Sequence, residues 1–261
     1  MRVGGNLIQQ FGEQHVAAFF LVLARVSPLF VLAPLFSSQL MPPRVRGVVA
    51  VALTIGLVPV VARERIPLET FELAGLIGKE LLIGMAFAFA LGALFAALSV
   101  AGTFLDTSIG FSFGSIVDPI TGSSAAVLSQ LYALIGVLIF IAIGGDAWVI
   151  QGIARTYELV PLESFPSLGS ITSGTLAAFV GIFGAAIQVA GPVLLALILT
   201  DAAFGMVSRV VPQLNVFAVG FAAKIVVGLL VLGVTLPFLA GWLSEELEAS
   251  VTDALQMLRI A

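Results

Sequence analysis

Residues 103–124, with the sequence TFLDTSIGFSFGSIVDPITGSS, form the longest polar break between two strongly apolar blocks of the chain. Gly, Ser and Thr dominate this stretch, which contains Asp106 and Asp118 but neither Lys nor Arg. Its glycines and the Asp118-Pro119 pair favour turns over a regular helix. A polar backbone at membrane depth persists only when it is buried in protein or lines a cavity. Two interpretations follow: an ordinary loop between membrane hairpins, or a loop packed inside a protein assembly.

The composition around this stretch is typical of a membrane protein. Hydrophobic residues make up 60% of the 261 residues and charged residues only 10%, and the mean hydropathy is +1.17. Soluble domains contain about 25% charged residues, so this chain cannot cover a surface that faces water. The formal net charge of −4 provides no basic surface for nucleic acid.

Residue types that carry most enzyme chemistry are scarce. The chain has no cysteine and a single histidine, His15, for which we expect an interfacial position. It has no GxxxxGK[ST] phosphate-binding loop, and one histidine so near the start supports no Ser/His/Asp triad. We therefore expect a non-enzymatic protein with no cofactor and no metal.

Hydropathy predicts an all-α membrane protein with a single domain over residues 1–261. Six apolar blocks cover residues 16–36, 47–61, 71–105, 125–143, 171–200 and 215–242. The first contains Pro28 and Pro34, which predict a kinked helix. The second is short for a span, whereas the third would reach roughly 50 Å as one helix and carries small residues such as Gly84, which allow helices to approach closely. We expect polar residues 201–213 to separate the fifth block from the sixth, and residues 244–261 to form an acidic amphipathic helix.

Four charged residues fall within or beside the apolar blocks: Arg25, Lys79, Glu80 and Lys224. Each costs about 2.5–3.5 kcal/mol at the centre of a membrane helix, so each needs a partner or water. They indicate either an ion or proton path or buried pairing with neighbouring subunits, and the scarcity of carboxylates favours the second interpretation. Adjacent positions point in different directions on a helix, so we do not expect Lys79 and Glu80 to pair with each other. On this argument the chain alone leaves polar groups unpaired and is unstable without partners.

Four segments together resemble the FliR/SctT family of type III secretion export-gate proteins over essentially the whole chain. They are RVSPLFVLAPLF (25–36), GKELLIGMAFAFALGALFAAL (78–98), SIVDPITG (115–122) and RVVPQLNVFAVGFAAKIVVGL (209–229). The run PQLNVF is the most specific part. Two local departures are GFAAK, where the family often has GFPLK, and Asp146, where it often has His.

The resemblance implies a pore-forming, non-enzymatic subunit of the export gate in the bacterial inner membrane, at the flagellar basal body. Its implied partners are several copies of FliP and FliQ around one FliR-type chain, together with FlhB and FlhA, and unfolded flagellar proteins in transit. It implies long helices packed in one subunit of a helical assembly. It also implies that residues 111–124 form a pore plug, with the gate residues Phe111, Ser112, Phe113, Gly114, Ile116, Val117, Asp118 and Pro119.

The junction between the last two blocks contains Arg209, Pro212, Gln213, Asn215 and Phe217. Pro212 breaks a helix, and Asn215 is well placed to cap the start of the last one. Two other classes remain open. A small-solute secondary transporter shares broken helices but should show inverted repeats and a polar cluster at midplane, and a purely structural membrane scaffold is compatible with the composition.

Overall fold

The computed structural model describes residues 3–33, 42–61, 66, 69–111, 126–162, 164–211, 213 and 215–258. Within these ranges the chain forms eight α-helices and no strand, which confirms the all-α prediction. In chain order they are α1 (Val3–Val26), α2 (Leu29–Leu32), α3 (Pro43–Val61), α4 (Thr70–Ile109), α5 (Val127–Ala142), α6 (Gly145–Leu159), α7 (Leu168–Val210) and α8 (Val216–Met257).

Four segments of these helices are long and apolar enough to cross a membrane. They are Gly12–Leu32, Phe71–Ile109, Leu168–Val210 and Ala218–Met257. The pair formed by α5 and α6 bends by 75° at a short break and adds a fifth candidate if it counts as one span. The described part of α3 is not among the helices that are long and apolar enough to cross a membrane. This agrees with the prediction that the second apolar block is short for a span.

The three longest helices differ from the predicted blocks at their ends. Helix α4 runs unbroken for 40 residues, which corresponds to about 60 Å, so the prediction of an overlong third block is confirmed. Helix α7 continues to Val210, and the predicted interruption from residue 201 is wrong, because scattered polar side chains do not break a helix. Helix α8 continues to Met257, so residues 244–257 of the tail are helical as predicted, and they extend the helix of the sixth block without a break.

The chain divides into two compact units. Unit 1 comprises Met1–Gly92, Gly144–Phe179 and Leu247–Ala261, and unit 2 comprises Ala93–Ile143 and Val180–Glu246. Each of the helices α4, α7 and α8 therefore contributes to both. The assignment of one domain to the whole chain stays a prediction.

Unit 1 is built around the kinked first segment. Helix α1 ends at Val26 and α2 begins at Leu29, so the kink falls at Ser27-Pro28 as predicted. Helix α6 buries Val149, Gly152, Ile153, Thr156 and Tyr157, the spacing of one helix face. A Cβ atom at Gly152 would lie 2.6 Å from the ring of Phe87, so these helices approach closely.

Unit 2 packs α5 against the second half of α4. The rings of Phe95 and Phe140 meet edge to face with centroids 5.5 Å apart, and a Cβ at Gly136 would overlap the side chain of Leu98. A Cβ at Gly228 of α8 would lie 2.7 Å from Ile109 of α4 and 3.5 Å from Leu197 of α7, so α8 contacts both of these helices. The contacts of Phe140 and Gly136 place α5 alongside the second half of α4.

Candidate functional site

The first polar cluster lies in unit 1 and is centred on Arg25. Its Nε donates to Glu80 Oε2 over 2.5 Å, while its Nη1 donates to Thr156 Oγ1 over 3.1 Å. Its Nη2 donates to the backbone oxygen of Val160 over 3.0 Å, and the guanidinium lies 3.9 Å from the ring centroid of Tyr157. All five residues are buried, so one arginine joins α1 to α4 and to the C-terminal end of α6.

Lys79 extends this cluster along the segment that follows α6. Its Nζ donates to the backbone oxygens of Leu162, Ser164 and Pro161 over 2.6, 3.1 and 3.3 Å. The same Nζ lies 3.3 Å from Glu80 Oε1. The prediction that Lys79 and Glu80 do not pair is therefore wrong, because the long lysine side chain turns back although the two Cα positions face different directions.

The pairing of these charges also corrects the argument for instability of the isolated chain. Arg25, Lys79 and Glu80 find their partners within unit 1, so they need no neighbouring subunit for charge compensation. Among the described residues of this cluster, the two cations exceed the one carboxylate by one charge. The backbone oxygens of Val160, Pro161, Leu162 and Ser164 offset this excess, aided by the negative end of the α6 dipole.

Lys224 differs from the other three charged residues. Its Nζ lies 2.6 Å from Asp201 Oδ1 in unit 2, and the two side chains are 23% and 57% exposed. The pair lines a cavity of about 340 Å³ together with the C-terminal end of α4. Lys224 is thus half-buried, and its partner lies on α7 of the same chain.

Sequence reasoning noted Asp106 only as one acidic residue of the polar stretch and missed its role. Its fully buried carboxylate accepts hydrogen bonds from the backbone N–H groups of Leu128 and Ser129 over 3.0–3.1 Å. It therefore caps the first turn of α5 from α4. One feature of the sequence points to this role: Ala126, the residue before α5, has no side chain that can cap the helix, so another residue has to supply the acceptor.

The predicted plug lies almost entirely outside the described residues. Phe111 is half-buried and follows Gly110, whose φ of +103° favours glycine. The other predicted gate residues are outside the described ranges: Ser112, Phe113, Gly114, Ile116, Val117, Asp118 and Pro119.

The junction between α7 and α8 contains the predicted helix cap. Asn215 Oδ1 accepts a hydrogen bond from the backbone N–H of Ala218 over 3.2 Å, so the prediction of an N-cap is confirmed. Arg209 and Gln213 are exposed. Pro212 and the side chain of Phe217 lie outside the description.

The fold and its polar clusters define an integral membrane protein of long apolar helices, in which buried charges join helices. Within the described residues, no group of three or more His, Asp or Glu side chains could hold a metal ion. The chain belongs to the family described as bacterial export proteins, family 1, whose family model matches residues 16–250.

Similarity to individual relatives supports this membership, and each match covers most of both chains. The chain is 28% identical to the flagellar biosynthetic protein FliR of Escherichia coli (strain K12) over 90% of this chain and 91% of that protein. It is 32% identical to FliR of Bacillus subtilis (strain 168) over 82% and 84% of the two chains. It is 27% identical to the surface presentation of antigens protein SpaR of Shigella flexneri over 82% and 84%. The chain is thus a membrane component of a bacterial export apparatus.

Proposed function

We propose that this chain is the structural, pore-forming subunit of a flagellar type III export gate, through which unfolded flagellar proteins cross the inner membrane. The observation that carries the proposal is the family match over residues 16–250. The flagellar naming of several relatives at 27–32% identity favours the flagellar system. A protein of this role needs no catalytic group, and it acts by providing a passage and closing it.

The plug of this gate is the segment of residues 111–124. An idle pore must hold back ions and yet pass varied side chains when it opens. Apolar residues such as Phe111 and Phe113 can close a constriction by excluding water, and glycines such as Gly114 allow the backbone to rearrange. The segment has no Lys or Arg, so it offers no strong attraction to acidic side chains of a passing substrate.

The subunit acts in an assembly with FliP, FliQ, FlhB and FlhA, with one copy of this chain in each gate. Support for a partner-dependent protein comes from α7 and α8, whose most apolar windows are only 22% and 17% buried within the chain. Co-purification followed by mass measurement of the intact complex tests this composition. Solute uptake by the purified chain alone would instead favour a secondary transporter, and an assembly without a conducting path would favour a scaffold.

Deletion of residues 111–119 tests the plug. We expect the gate to assemble with normal yield but to make resting cells leaky to small ions, as measured by membrane conductance or by sensitivity to external salt. Complex yield is determined in parallel on the same cells. An assembled gate that stays tight after the deletion would contradict the plug and leave the segment an ordinary loop.

A further inference from the structure

The ion pair of Asp201 and Lys224 occupies an unusual place in unit 2. Asp201 lies in the apolar helix α7 and Lys224 in the apolar helix α8, and their side chains are 57% and 23% exposed. A charged side chain in such a helix faces protein or water, because contact with lipid is costly. Among the described residues, Lys224 is the one ion-pair partner of Asp201, so more than half of the carboxylate is left for a group outside the chain.

Asp201 lines a cavity of about 340 Å³ whose other side is the C-terminal end of α4. Thr107, Ser108 and Ile109, the last three residues of α4, line that side. The last carbonyl groups of a helix have no partner inside the helix, and they carry the negative end of its dipole. The Thr107 hydroxyl donates to the backbone oxygen of Thr103 over 2.9 Å, so its oxygen can only accept a further hydrogen bond.

The remaining lining also favours a cation. Phe204 of α7 and Phe221 of α8 contribute aromatic rings, and the faces of such rings attract cations. The size of the cavity far exceeds that of a single metal ion, and the part of the chain that the structure describes contains no group of three or more acidic or histidine side chains that could hold one. The chemistry therefore fits an organic cation, an ammonium or a guanidinium group.

The surface beside the cavity indicates where this cation comes from. Leu195 and Ile198 precede Asp201 at three-residue intervals, so the three side chains lie along one side of α7, and both apolar residues are more than half exposed. Phe221, three residues before Lys224 on α8, is also exposed. A free cation in solution would leave these apolar side chains uncovered, whereas a helix of another chain would cover them and place one basic side chain in the cavity.

We propose that this cavity receives a Lys or Arg side chain from a neighbouring, different chain of the membrane assembly. The proposal rests on the proposed function, which places the chain among partner subunits. The incoming cation pairs with the Asp201 carboxylate and donates to acceptors at the end of α4, while its stem packs against the aromatic rings. Asp201 then pairs with two cations, as Glu80 does in unit 1, where it contacts both Arg25 and Lys79.

The first test uses the difference between the two members of the pair. We expect Asp201→Asn to lower recovery of the chain with its assembly on the order of 10-fold, the factor for one lost charge-assisted hydrogen bond. Lys224→Met should leave recovery at or above that of wild type, because the freed carboxylate attracts the partner's cation more strongly. Asp201→Glu keeps the charge and should restore recovery. Glu245→Gln, which changes an exposed carboxylate of α8 outside this cavity, is the matched control.

Recovery is compared at equal amounts of each chain in the membrane, in cells that express the partner proteins. Equal losses in Asp201→Asn and Lys224→Met would show that the pair serves only the chain itself and would overturn the proposal, as would normal recovery of Asp201→Asn. If wild type is recovered with no other chain, the proposed assembly fails as well. If wild type assembles and the Asp201 variants behave like it, only this proposal fails.

A second test identifies the occupant without changing the lining of the cavity. A photoreactive amino acid replaces Ile198, one turn before Asp201, and the chain is cross-linked in intact cells. We expect a cross-link to a different membrane protein of the assembly, close to a Lys or Arg of that protein. Replacement of that basic residue by Gln should reproduce the loss seen in Asp201→Asn and add nothing to it. Cross-links confined to lipid, to exported proteins or to a second copy of this chain would overturn the proposal.

Discussion

Arg25 Nε and Glu80 Oε2 lie 2.5 Å apart, with both side chains at 0% exposure, and they join α1 to α4 across 55 positions of sequence. Lys79 contacts the other oxygen of the same carboxylate over 3.3 Å. One buried anion thus serves two cations. The consequence is an asymmetry, because the loss of the anion leaves two like charges together, whereas the loss of one cation leaves a neutral pair.

Glu80→Leu should therefore destabilise the protein more than Arg25→Met. Removal of one partner from a buried ion pair costs about 3–5 kcal/mol, and we place Glu80→Leu at the upper end of this range and Arg25→Met at the lower end. The measurement is thermal unfolding of the purified assembly in detergent, together with its yield.

The double variant Arg25→Met/Glu80→Leu provides the control for this asymmetry. It leaves Lys79 with its backbone carbonyl acceptors and removes the other two charges, so its stability should exceed that of Glu80→Leu alone. Two results would contradict the shared-anion arrangement: equal losses of stability in the two single variants, or a loss in the double variant that equals the sum of the two single losses.

Tyr157 should tolerate replacement by phenylalanine. Its hydroxyl is buried and has no hydrogen-bond partner among the described residues, whereas its ring faces the Arg25 guanidinium at 3.9 Å. Tyr157→Phe keeps the ring and removes the unsatisfied hydroxyl, so we expect unchanged stability or a gain of up to about 1 kcal/mol. Tyr157→Leu removes the cation–π contact and leaves unfilled volume, so it should lose stability; the same unfolding assay compares the two, and a loss in Tyr157→Phe would reveal a partner for the hydroxyl.

Local patterns in the sequence predicted much of this fold. Hydrophobic length identified the long helices, and Pro28 marked the kink between α1 and α2. The small residue Gly84 indicated close helix approach, and a Cβ at this position would overlap the backbone oxygen of Arg25. Asn215 could be assigned as a cap because capping depends on a residue three positions away.

Contacts between distant segments could not be predicted in this way. Nothing local connects Asp106 with the N–H groups of Leu128 and Ser129, because the contact depends on how α4 and α5 pack. The pairing of Lys79 with Glu80 was missed for a related reason, since the backbone oxygens of Pro161, Leu162 and Ser164 hold the lysine on one side of its helix. The predicted gate residues beyond Phe111 lie outside the described ranges and stay a prediction.

Asn215→Leu should weaken the start of α8. The change removes the acceptor for the Ala218 N–H group, and loss of an N-cap costs about 0.5–2 kcal/mol. We expect lower yield of the assembled gate and a matching loss of export, measured as complex recovered and as flagellar protein secreted by the same cells. Asn215→Asp retains an acceptor and should behave like wild type. Normal yield of the Asn215→Leu complex with export abolished would instead indicate a direct role of this junction in the passage.

Lys79 and Lys224 should differ strongly in their contribution to stability, although both lie in apolar helices. Lys79→Met removes a buried cation that donates to the backbone oxygens of Pro161, Leu162 and Ser164, so it should cost at least about 3 kcal/mol, as expected when a buried charged hydrogen-bonding group is removed. Lys224→Met removes a half-exposed pair with Asp201, and exposed pairs contribute about 0–1 kcal/mol. Thermal unfolding of the two purified variants checks the difference, with the yield of each assembly as a second measure. Equal losses of stability for the two variants would show that Lys224 is more deeply buried in the assembled protein than in the chain alone. A mild effect of Lys79→Met would show that Lys79 does not stabilise the segment after α6.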